Sequence, residues 1–205
     1  MTFSILSIIS GYALLLISNT GYWGVFFLMF LESANLPIPS EVIMPFSGFL
    51  VSSGVFSFWL VVFVGAFGNL FGSLFSYWLG SLVRNGILKW NNHKISAEVE
   101  RARTWIDRFG DYAVFISRIL PVARTFISFP LGILRFKSIW RFSILTFSGS
   151  FLWSLFLTYL GLIFGKNWEA LHIYFRQFDY LIVIAILSVG VWLMYKHFKY
   201  FKKAD

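Results

Sequence analysis

The stretch FLESANLPIPSEVIMPFSGFL at residues 30–50 decides the fold, because it places two glutamates and three prolines inside an apolar region. That region runs from about residue 3 to residue 83 and contains no Lys or Arg. A charge at the bilayer centre costs about 2.5 to 3.5 kcal/mol on insertion scales, and proline breaks a helix because it lacks the backbone N–H. Broken backbone is tolerated at membrane depth only against protein or a water-filled cavity. The stretch therefore predicts a buried, broken helical hairpin that carries charged side chains.

The composition indicates a membrane protein. Of 205 residues, 58% are hydrophobic and only 13% are charged, more apolar surface than a soluble core of this size could use. The net charge of +8 comes from clustered Lys and Arg, which is a topology signal, so no nucleic-acid partner is expected. The chain has no cysteine, and its three histidines are isolated in the sequence. We therefore expect no catalytic residues, no metal, no cofactor and no enzyme activity.

The whole chain is expected to form one all-α, polytopic membrane domain, residues 1–205. Crossing the hydrocarbon core takes about 20 apolar residues. The strongest windows are Val55–Val83, Phe142–Gly165 and Phe178–Tyr195, with Phe3–Ile17 as a shorter, retained N-terminal helix. The expected order is an N-terminal helix (1–20), a first repeat (21–83), a cytoplasmic amphipathic linker (84–109), a second repeat (110–165), and a C-terminal transmembrane helix with a basic tail (166–205).

Clusters of basic residues orient this domain through the positive-inside rule. The clusters belong on the cytoplasmic side of the cell membrane and lie within residues 84–109, 135–141 and 196–203. Because two of them flank residues 110–134, that segment leaves the cytoplasm and returns to it. The chain is therefore expected in the cytoplasmic (inner) membrane as a multi-pass protein.

Two re-entrant hairpins follow from this topology. Residues 110–134 form one of them, with helix breaks at Pro121 and Pro130. Counting back from the linker, residues 21–54 must begin and end outside, so they form the other hairpin. Its breaks are expected around Pro37, Pro39 and Pro45. Broken helices of this kind are typical of the binding sites of transporters.

An internal repeat connects the two halves of the chain. SLFSYWLG at residues 73–80 returns as SLFLTYLG at residues 154–161, 81 positions later, and the same offset pairs Gly68 with Gly149. A re-entrant hairpin returns to the side it left, so each copy crosses the membrane once, through its long helix. The linker between the copies stays on the cytoplasmic side. The copies therefore have opposite orientations, the inverted-repeat plan of secondary transporters. The alternative is chance similarity between Phe- and Leu-rich helices.

The two hairpins should bring four charged side chains together near the middle of the membrane, Glu32 and Glu41 from the first and Arg118 and Arg124 from the second. Such charges must pair, hydrate or protonate. The favoured interpretation is a site for an anion and a proton. Two alternatives stay open: Glu–Arg pairs that only lock the hairpins together, and charges that snorkel to the interface. The sequence leaves open which Glu pairs with which Arg.

Other features favour packing roles. A stripe of small residues on the first long helix predicts close approach of its neighbours, and it consists of Gly68, Gly72, Ser76 and Gly80. Asn69 is expected to make a hydrogen bond to another helix. Residues 95–109 have one apolar face opposite charged side chains, which suits a helix lying on the inner leaflet.

The charged residues lie in two motifs. The first is E-x-x-x-x-P-x-P-x-E, from Glu32 to Glu41, and the second is F-x-x-R-x-x-P-x-x-R, from Phe115 to Arg124. These motifs resemble those of the DedA family, bacterial and archaeal membrane proteins related to the eukaryotic VTT-domain lipid scramblases. The resemblance covers about residues 20–165. Two positions depart from the family pattern. Leu131 stands in place of Ala, and Arg84 lies four residues after Gly80, where the family tends to place an Arg directly.

The resemblance implies a flippase that returns a polyprenyl phosphate, undecaprenyl phosphate in bacteria, from the outer to the inner leaflet, with a link to the proton motive force. An arginine fork binds phosphate through paired, charge-assisted hydrogen bonds, so Arg118 and Arg124 are the expected phosphate-binding residues. Glu32 and Glu41 form the proton-coupling network, because they compete with phosphate for the arginines until a proton neutralises one of them.

The partners implied are membrane lipids, the polyprenyl phosphate substrate and protons, and a homo-oligomer stays open. Two other functions are alternatives to the proton-coupled flippase. One is a lipid scramblase, and the other is a non-transporting membrane scaffold whose Glu–Arg network is purely structural.

Overall fold

The apolar segments of the sequence form helices of unequal length, and turns separate these helices. The structure is a computed structural model, and it describes residues 5–36, 38–87, 93–120, 124, 127–136 and 138–165. These residues are helical with no strand, which confirms the all-α prediction. The eight helices of the described part are α1 (Ile5–Thr20), α2 (Tyr22–Ser33), α3 (Ser40–Ser52), α4 (Phe58–Arg84), α5 (His93–Phe109), α6 (Tyr112–Ile119), α7 (Ser128–Leu134) and α8 (Ile139–Phe164).

Among the described helices, α4 and α8 are long and apolar enough to cross a membrane. Their 27 and 26 residues correspond to about 40 Å at 1.5 Å per residue, more than the ~30 Å hydrocarbon core. Their outer faces expose large apolar side chains such as Phe67 and Ile144. Helices α2 and α3, with 12 and 13 residues, are apolar but too short to span. The predicted helix at Phe178–Tyr195 lies outside the described residues.

The opening stretch sets the boundary between α2 and α3. Asn35 follows α2 with a φ of 72°, a left-handed conformation in which Asn is enriched. Pro39 is the N-cap of α3, with the extended backbone that this position requires. Pro45 lies inside α3 and does not end the helix, so the break expected there is wrong. The carbonyl of Glu41, four residues earlier, only loses its helical donor. The polar and proline residues thus divide one apolar stretch into two short helices.

The second half of the chain has a similar boundary. Helix α6 ends at Ile119, and Leu120 adopts an extended backbone with φ −94° and ψ 120°, as residues before a proline do. Pro130 lies in the first turn of α7, where the missing N–H would have no helical partner. Pro130 therefore lies within a helix that begins at Ser128, whereas the sequence predicts a break there. Pro37 and Pro121, the other expected break points, lie outside the described residues.

Each half of the chain packs one short helix on its own long helix and one on the long helix of the other half. Helix α2 packs on α4, and α6 packs on α8. The second short helices cross over, because α3 packs on α8 and α7 packs on α4. Helices α4 and α8 also contact each other. The four short helices are thereby held around a central pair of long ones.

Reciprocal glycine contacts allow the crossed-over helices to approach closely. Gly48 of α3 lies against the carbonyl of Thr158, and Gly161 of α8 lies against the carbonyl of Pro45. The same arrangement joins α4 to α7 through the contacts Gly80–Phe129 and Gly132–Tyr77. A β-carbon at any of these glycines would overlap the facing backbone oxygen. The backbones therefore meet only because these positions carry no side chain.

The amphipathic linker helix α5 packs on the protein through part of its apolar face. Ala102 is buried, and Ile106 packs against the same core cluster. The buried members of that cluster are Ala102, Val114, Ile127, Leu131, Phe136 and Phe142. The sequence suggested that this face lies on lipid, and periodicity alone does not distinguish a lipid surface from a protein surface.

Candidate functional site

The candidate site is centred on the guanidinium of Arg124. Its Nη2 atom donates to Glu32 Oε1 at 2.7 Å and to Glu41 Oε1 at 2.8 Å. The side chains of Arg124 and Glu32 are 3% and 2% exposed, whereas that of Glu41 is 33% exposed. One buried nitrogen thus joins two carboxylates from the opposite half of the chain, and this triad has a net charge of −1 when all three groups are ionised.

The start of α3 positions the two carboxylates. Glu32 lies in the last turn of α2, and its Oε1 atom also accepts a hydrogen bond of 3.2 Å from the backbone N–H of Ser40. Pro39 makes no side-chain cap, so Glu32 satisfies a free N–H at the start of α3. Glu41 lies in the first turn of α3, where the helix dipole favours negative charge. The boundary between α2 and α3 is therefore also the acidic half of the site.

Asn35 closes the turn that follows Glu32. Its Nδ2 atom donates to Ser76 Oγ of α4 at 3.0 Å. This contact ties the left-handed residue of the turn to the long helix of the same half. It fixes where the last turn of α2 ends, and with it the position of Glu32.

Arg118 has a different set of partners. Its Nη1 atom donates to Ser73 Oγ at 3.1 Å and to the backbone carbonyl of Arg124 at 2.7 Å, and its Nη2 atom donates to Ser128 Oγ at 2.8 Å. The residue is 1% exposed. The sequence leaves open which glutamate pairs with which arginine. In the described structure, the glutamates contact Arg124, whereas Arg118 binds hydroxyl groups and a backbone carbonyl.

Helix α8 provides the surroundings of both arginines. Gly149 faces Arg118 and leaves room for its aliphatic stem, because a β-carbon there would lie 2.7 Å from Arg118 Cβ. The Arg118 Cζ atom lies 5.6 Å from the centre of the Phe142 ring. The Arg124 Cζ atom lies 4.9 Å from the centre of the Trp153 ring, within cation–π range. Each guanidinium is thus backed by one aromatic ring.

Other described residues that the sequence singled out make contacts between helices. Gly68 and Gly72 of α4 face the carbonyls of Phe26 and Phe30 on α2. Asn69 accepts a hydrogen bond of 3.1 Å from Ser150 on α8. Arg84 donates to the carbonyl of Gly132 at 3.2 Å, which is a contact with α7 and not with the triad. These contacts hold α2, α7 and α8 on α4.

Several polar atoms of the site have no hydrogen-bond partner among the described residues. They are Nε and Nη1 of Arg124, Oε2 of Glu32 and Nε of Arg118. Guanidinium N–H groups bind carboxylate and phosphate oxygens with paired geometry. The part of Arg124 that does not contact a glutamate is therefore chemically suited to an anionic oxygen.

Sequence reasoning missed the polar residues that hold the charges in place. Ser73 and Ser128 accept hydrogen bonds from Arg118. Ser40 donates its backbone N–H to Glu32, and its hydroxyl accepts from the indole N–H of Trp153. A signal existed for Ser73, which begins the repeated segment SLFSYWLG at residues 73–80. Ser40 stands next to Glu41 in the first motif, but a serine at a helix start is usually only a cap.

Comparisons with known proteins place this geometry in a family. The family model of the VTT domain matches residues 38–163, more than half of the chain. The chain belongs to the VTT-domain family. The matched region of this VTT-domain protein includes Glu41, Arg118 and Arg124 and begins after Glu32. The prediction of a DedA-type membrane protein is therefore confirmed.

Individual relatives of this VTT-domain protein carry two kinds of name. Undecaprenyl phosphate transporter A of Staphylococcus aureus (strain NCTC 8325 / PS 47) is 30% identical, over 85% of this chain and 91% of that protein. Undecaprenyl phosphate transporter A of Bacillus subtilis (strain 168) is 30% identical over 75% and 76%. An "Alkaline phosphatase-like protein" of Lactococcus lactis subsp. cremoris (strain MG1363) is 31% identical over 82% of each chain. No solved structure matches this chain.

Proposed function

We propose that this VTT-domain protein is a membrane transporter, a flippase that moves a polyprenyl phosphate such as undecaprenyl phosphate across the cytoplasmic membrane. The observation that carries the proposal is the Arg124 triad, a buried guanidinium with two carboxylates on one nitrogen and two further nitrogens unpartnered among the described residues. Such a site has guanidinium N–H donors available for an anionic ligand, and its carboxylates can be displaced or protonated when the anion binds. The names of the Staphylococcus aureus and Bacillus subtilis relatives support the choice of lipid phosphate.

The proposed architecture is a pair of inverted repeats, each with a re-entrant hairpin. Support comes from the crossed packing of α3 on α8 and α7 on α4. It also comes from the glycine contacts, because Gly80 and Gly161, 81 positions apart, make equivalent contacts to α7 and α3. In this architecture the hairpin formed by α2 and α3 enters the membrane from outside, and the hairpin formed by α6 and α7 enters it from the cytoplasm. The basic linker and basic tail stay in the cytoplasm, which makes the chain a multi-pass protein.

Phosphate binding is assigned first to Arg124. A phosphate monoester offers several oxygens with high negative charge, and it can replace a carboxylate as the acceptor of a guanidinium N–H. Glu41 is the carboxylate that leaves most easily, because its side chain is one-third exposed. Arg118 supports this site by holding the backbone carbonyl of Arg124, so its contribution to phosphate binding is indirect.

Proton coupling is assigned to the two glutamates. When phosphate binds Arg124, two carboxylates and the phosphate carry more negative charge than one arginine can balance. A proton taken up by Glu32 or Glu41 restores the balance, because a buried carboxylate without a cationic partner favours its neutral form. Release of the lipid at the inner side lets the arginine recapture the carboxylate and expel the proton. Lipid and proton then move in the same direction.

An enzyme is the second candidate, because relatives that include the Lactococcus lactis protein carry the name "Alkaline phosphatase-like protein". A phosphatase would bind the same phosphate group and then release it as inorganic phosphate. Arg124 would serve either activity, so binding alone does not distinguish them. The distinguishing quantity is the release of phosphate from a lipid substrate.

The function is tested in proteoliposomes that carry a labelled polyprenyl phosphate in one leaflet. The rate at which the label reaches the other leaflet is measured together with inorganic phosphate in solution, with and without a pH gradient. A flippase gives fast movement that responds to the gradient and releases no phosphate. Movement that ignores the gradient indicates a scramblase, and phosphate release indicates an enzyme. Folded protein without either activity indicates a scaffold.

A further inference from the structure

An apolar groove opens on the outer surface of the protein beside the charged site. Its volume is about 330 Å³, and it is lined by Ile119 of α6 and by Leu152, Trp153 and Phe156 of α8. Ile119, Leu152 and Phe156 are 41%, 46% and 50% exposed, so the groove is open at its side. Because the chain is a membrane protein, a groove of this composition faces lipid chains and can be entered sideways from the bilayer.

Trp153 connects this groove to the charged site. Its indole lines the groove, and the centre of the same ring lies 4.9 Å from Arg124 Cζ. Its N–H points to Ser40 Oγ at 3.4 Å, and the backbone N–H of Ser40 binds Glu32. One half-buried side chain thus contacts an apolar surface and a buried cation. The complementary ligand has an anionic head joined directly to a hydrocarbon chain.

We propose that the groove at Ile119, Leu152, Trp153 and Phe156 binds the first isoprene units of a polyprenyl phosphate while Arg124 binds its phosphate. This inference rests on the proposed function, because it takes the phosphate site at Arg124 as given. The groove is near the lower end of the roughly 300–1,000 Å³ of small-molecule sites. It therefore holds only the part of the chain next to the phosphate, and the remaining chain stays in the bilayer.

The cation beside the groove selects the occupant. A bulk phospholipid carries its phosphate between a glycerol and a second alcohol, so its acyl chains are separated from the phosphate by the glycerol backbone. A polyprenyl phosphate has its chain on the phosphate oxygen itself. Trp153 lines the groove and the centre of its ring lies 4.9 Å from Arg124 Cζ, so a head joined directly to the chain is close to the guanidinium. Chain and head are then recognised together, and a free phosphate or a free isoprenoid alcohol is recognised only in part.

The test compares ligands that differ only in chain or head. Isothermal titration of the purified full chain in one detergent uses farnesyl phosphate, isopentenyl phosphate, farnesol and inorganic phosphate. Partition into detergent raises the apparent affinity of the longer chain equally for every variant, so the preference is judged by comparing variants. Leu152→Trp fills the groove, and Phe156→Ala removes one of its walls. Ile144→Trp is the matched control. Like Leu152, Ile144 is an exposed aliphatic residue of α8, but it does not line the groove.

The measured quantity is the ratio of the affinity for farnesyl phosphate to the affinity for isopentenyl phosphate. This ratio should fall about tenfold in Leu152→Trp and should also fall in Phe156→Ala, whereas Ile144→Trp should keep the wild-type ratio. Inorganic phosphate binding stays unchanged in all three variants. The inference is overturned if Leu152→Trp and Phe156→Ala keep the wild-type preference, or if farnesol binds as well as farnesyl phosphate. If Arg124→Ala binds isopentenyl phosphate as wild type does, the phosphate site itself is wrong, and the proposed function fails with it.

Discussion

Arg118 donates a hydrogen bond of 2.7 Å from Nη1 to the backbone carbonyl of Arg124. One arginine therefore holds the main chain of the other, and the two are not equivalent members of a phosphate clamp. Ser73 and Ser128 take up the other hydrogen bonds that Arg118 makes, whereas Arg124 faces Glu32 and Glu41. Substitutions at the two positions should consequently have different effects.

Arg118→Lys should lower the thermal stability of the protein. Lysine keeps the charge, but a single ammonium cannot reach the three acceptors that the two terminal guanidinium nitrogens of Arg118 reach. Each buried group that loses its partner costs about 1–3 kcal/mol. The thermal unfolding midpoint in detergent measures the effect, and Arg141→Lys in the exposed Asp111 pair is the control. A wild-type midpoint combined with lost phosphate binding would instead make Arg118 a direct ligand.

Arg124→Gln should destabilise the protein through Glu32. Removing one partner of a buried ion pair costs about 3–5 kcal/mol, because the other charge stays buried without compensation. Arg124→Gln/Glu32→Gln should regain most of this stability and still not bind phosphate. Unfolding free energy by denaturant titration and phosphate affinity by calorimetry check the two parts. A double variant as unstable as Arg124→Gln would show that Glu32 is not the source of the loss.

Glu32→Gln should remove the dependence of lipid movement on a pH gradient. The amide keeps an oxygen for the N–H of Ser40 but cannot take up or release a proton. Movement should continue at similar rates with and without the gradient, whereas wild type accelerates in one direction. Asp111→Asn, which removes an exposed ion pair, is the control and should respond as wild type. Unchanged gradient dependence in Glu32→Gln would exclude Glu32 as the coupling group.

Gly161→Ala should weaken the contact between α3 and α8. A β-carbon at Gly161 would overlap the Pro45 carbonyl and lie 2.6 Å from Pro45 Cα, so the helices must separate. Overpacking of this kind costs about 1–3 kcal/mol. Gly11→Ala is the matched control, because nothing lies within 4 Å of its β-carbon. Equal unfolding midpoints for Gly161→Ala and Gly11→Ala would argue against close packing at this crossing.

The long helices and the break after α2 could be predicted from the sequence. Apolar windows identified α4 and α8, because lipid requires an uninterrupted run and charge or proline ends it. The crossed packing of α3 on α8 could not be predicted. Periodicity shows which face of a helix carries small residues, but it does not show which other helix packs on that face. Pro130 shows the same limit, because a proline that breaks one helix is also suited to the first turn of the next.

The four charges of the site were found by sequence, because ionisable residues in apolar segments are rare. Their pairing was not. Two glutamates and two arginines suggest two pairs, yet both carboxylates contact one nitrogen of Arg124 and Arg118 is satisfied by serines. Ser73 begins a repeated segment, but serine and tryptophan are common in membrane helices, so the pattern did not show that Ser73 binds Arg118 or that Trp153 packs on Arg124. Their roles follow only from the distances between helices that are remote in sequence.

In the proposed function, Arg124 binds the phosphate of the transported lipid. The direct test is the rate at which labelled polyprenyl phosphate crosses the membrane of proteoliposomes containing wild type, Arg124→Gln/Glu32→Gln or Arg141→Gln, each verified as folded. The double variant should fall to the rate of protein-free vesicles, because no cation remains at the site, while Arg141→Gln should keep the wild-type rate. Wild-type movement in the folded double variant would show that Arg124 does not bind the transported phosphate.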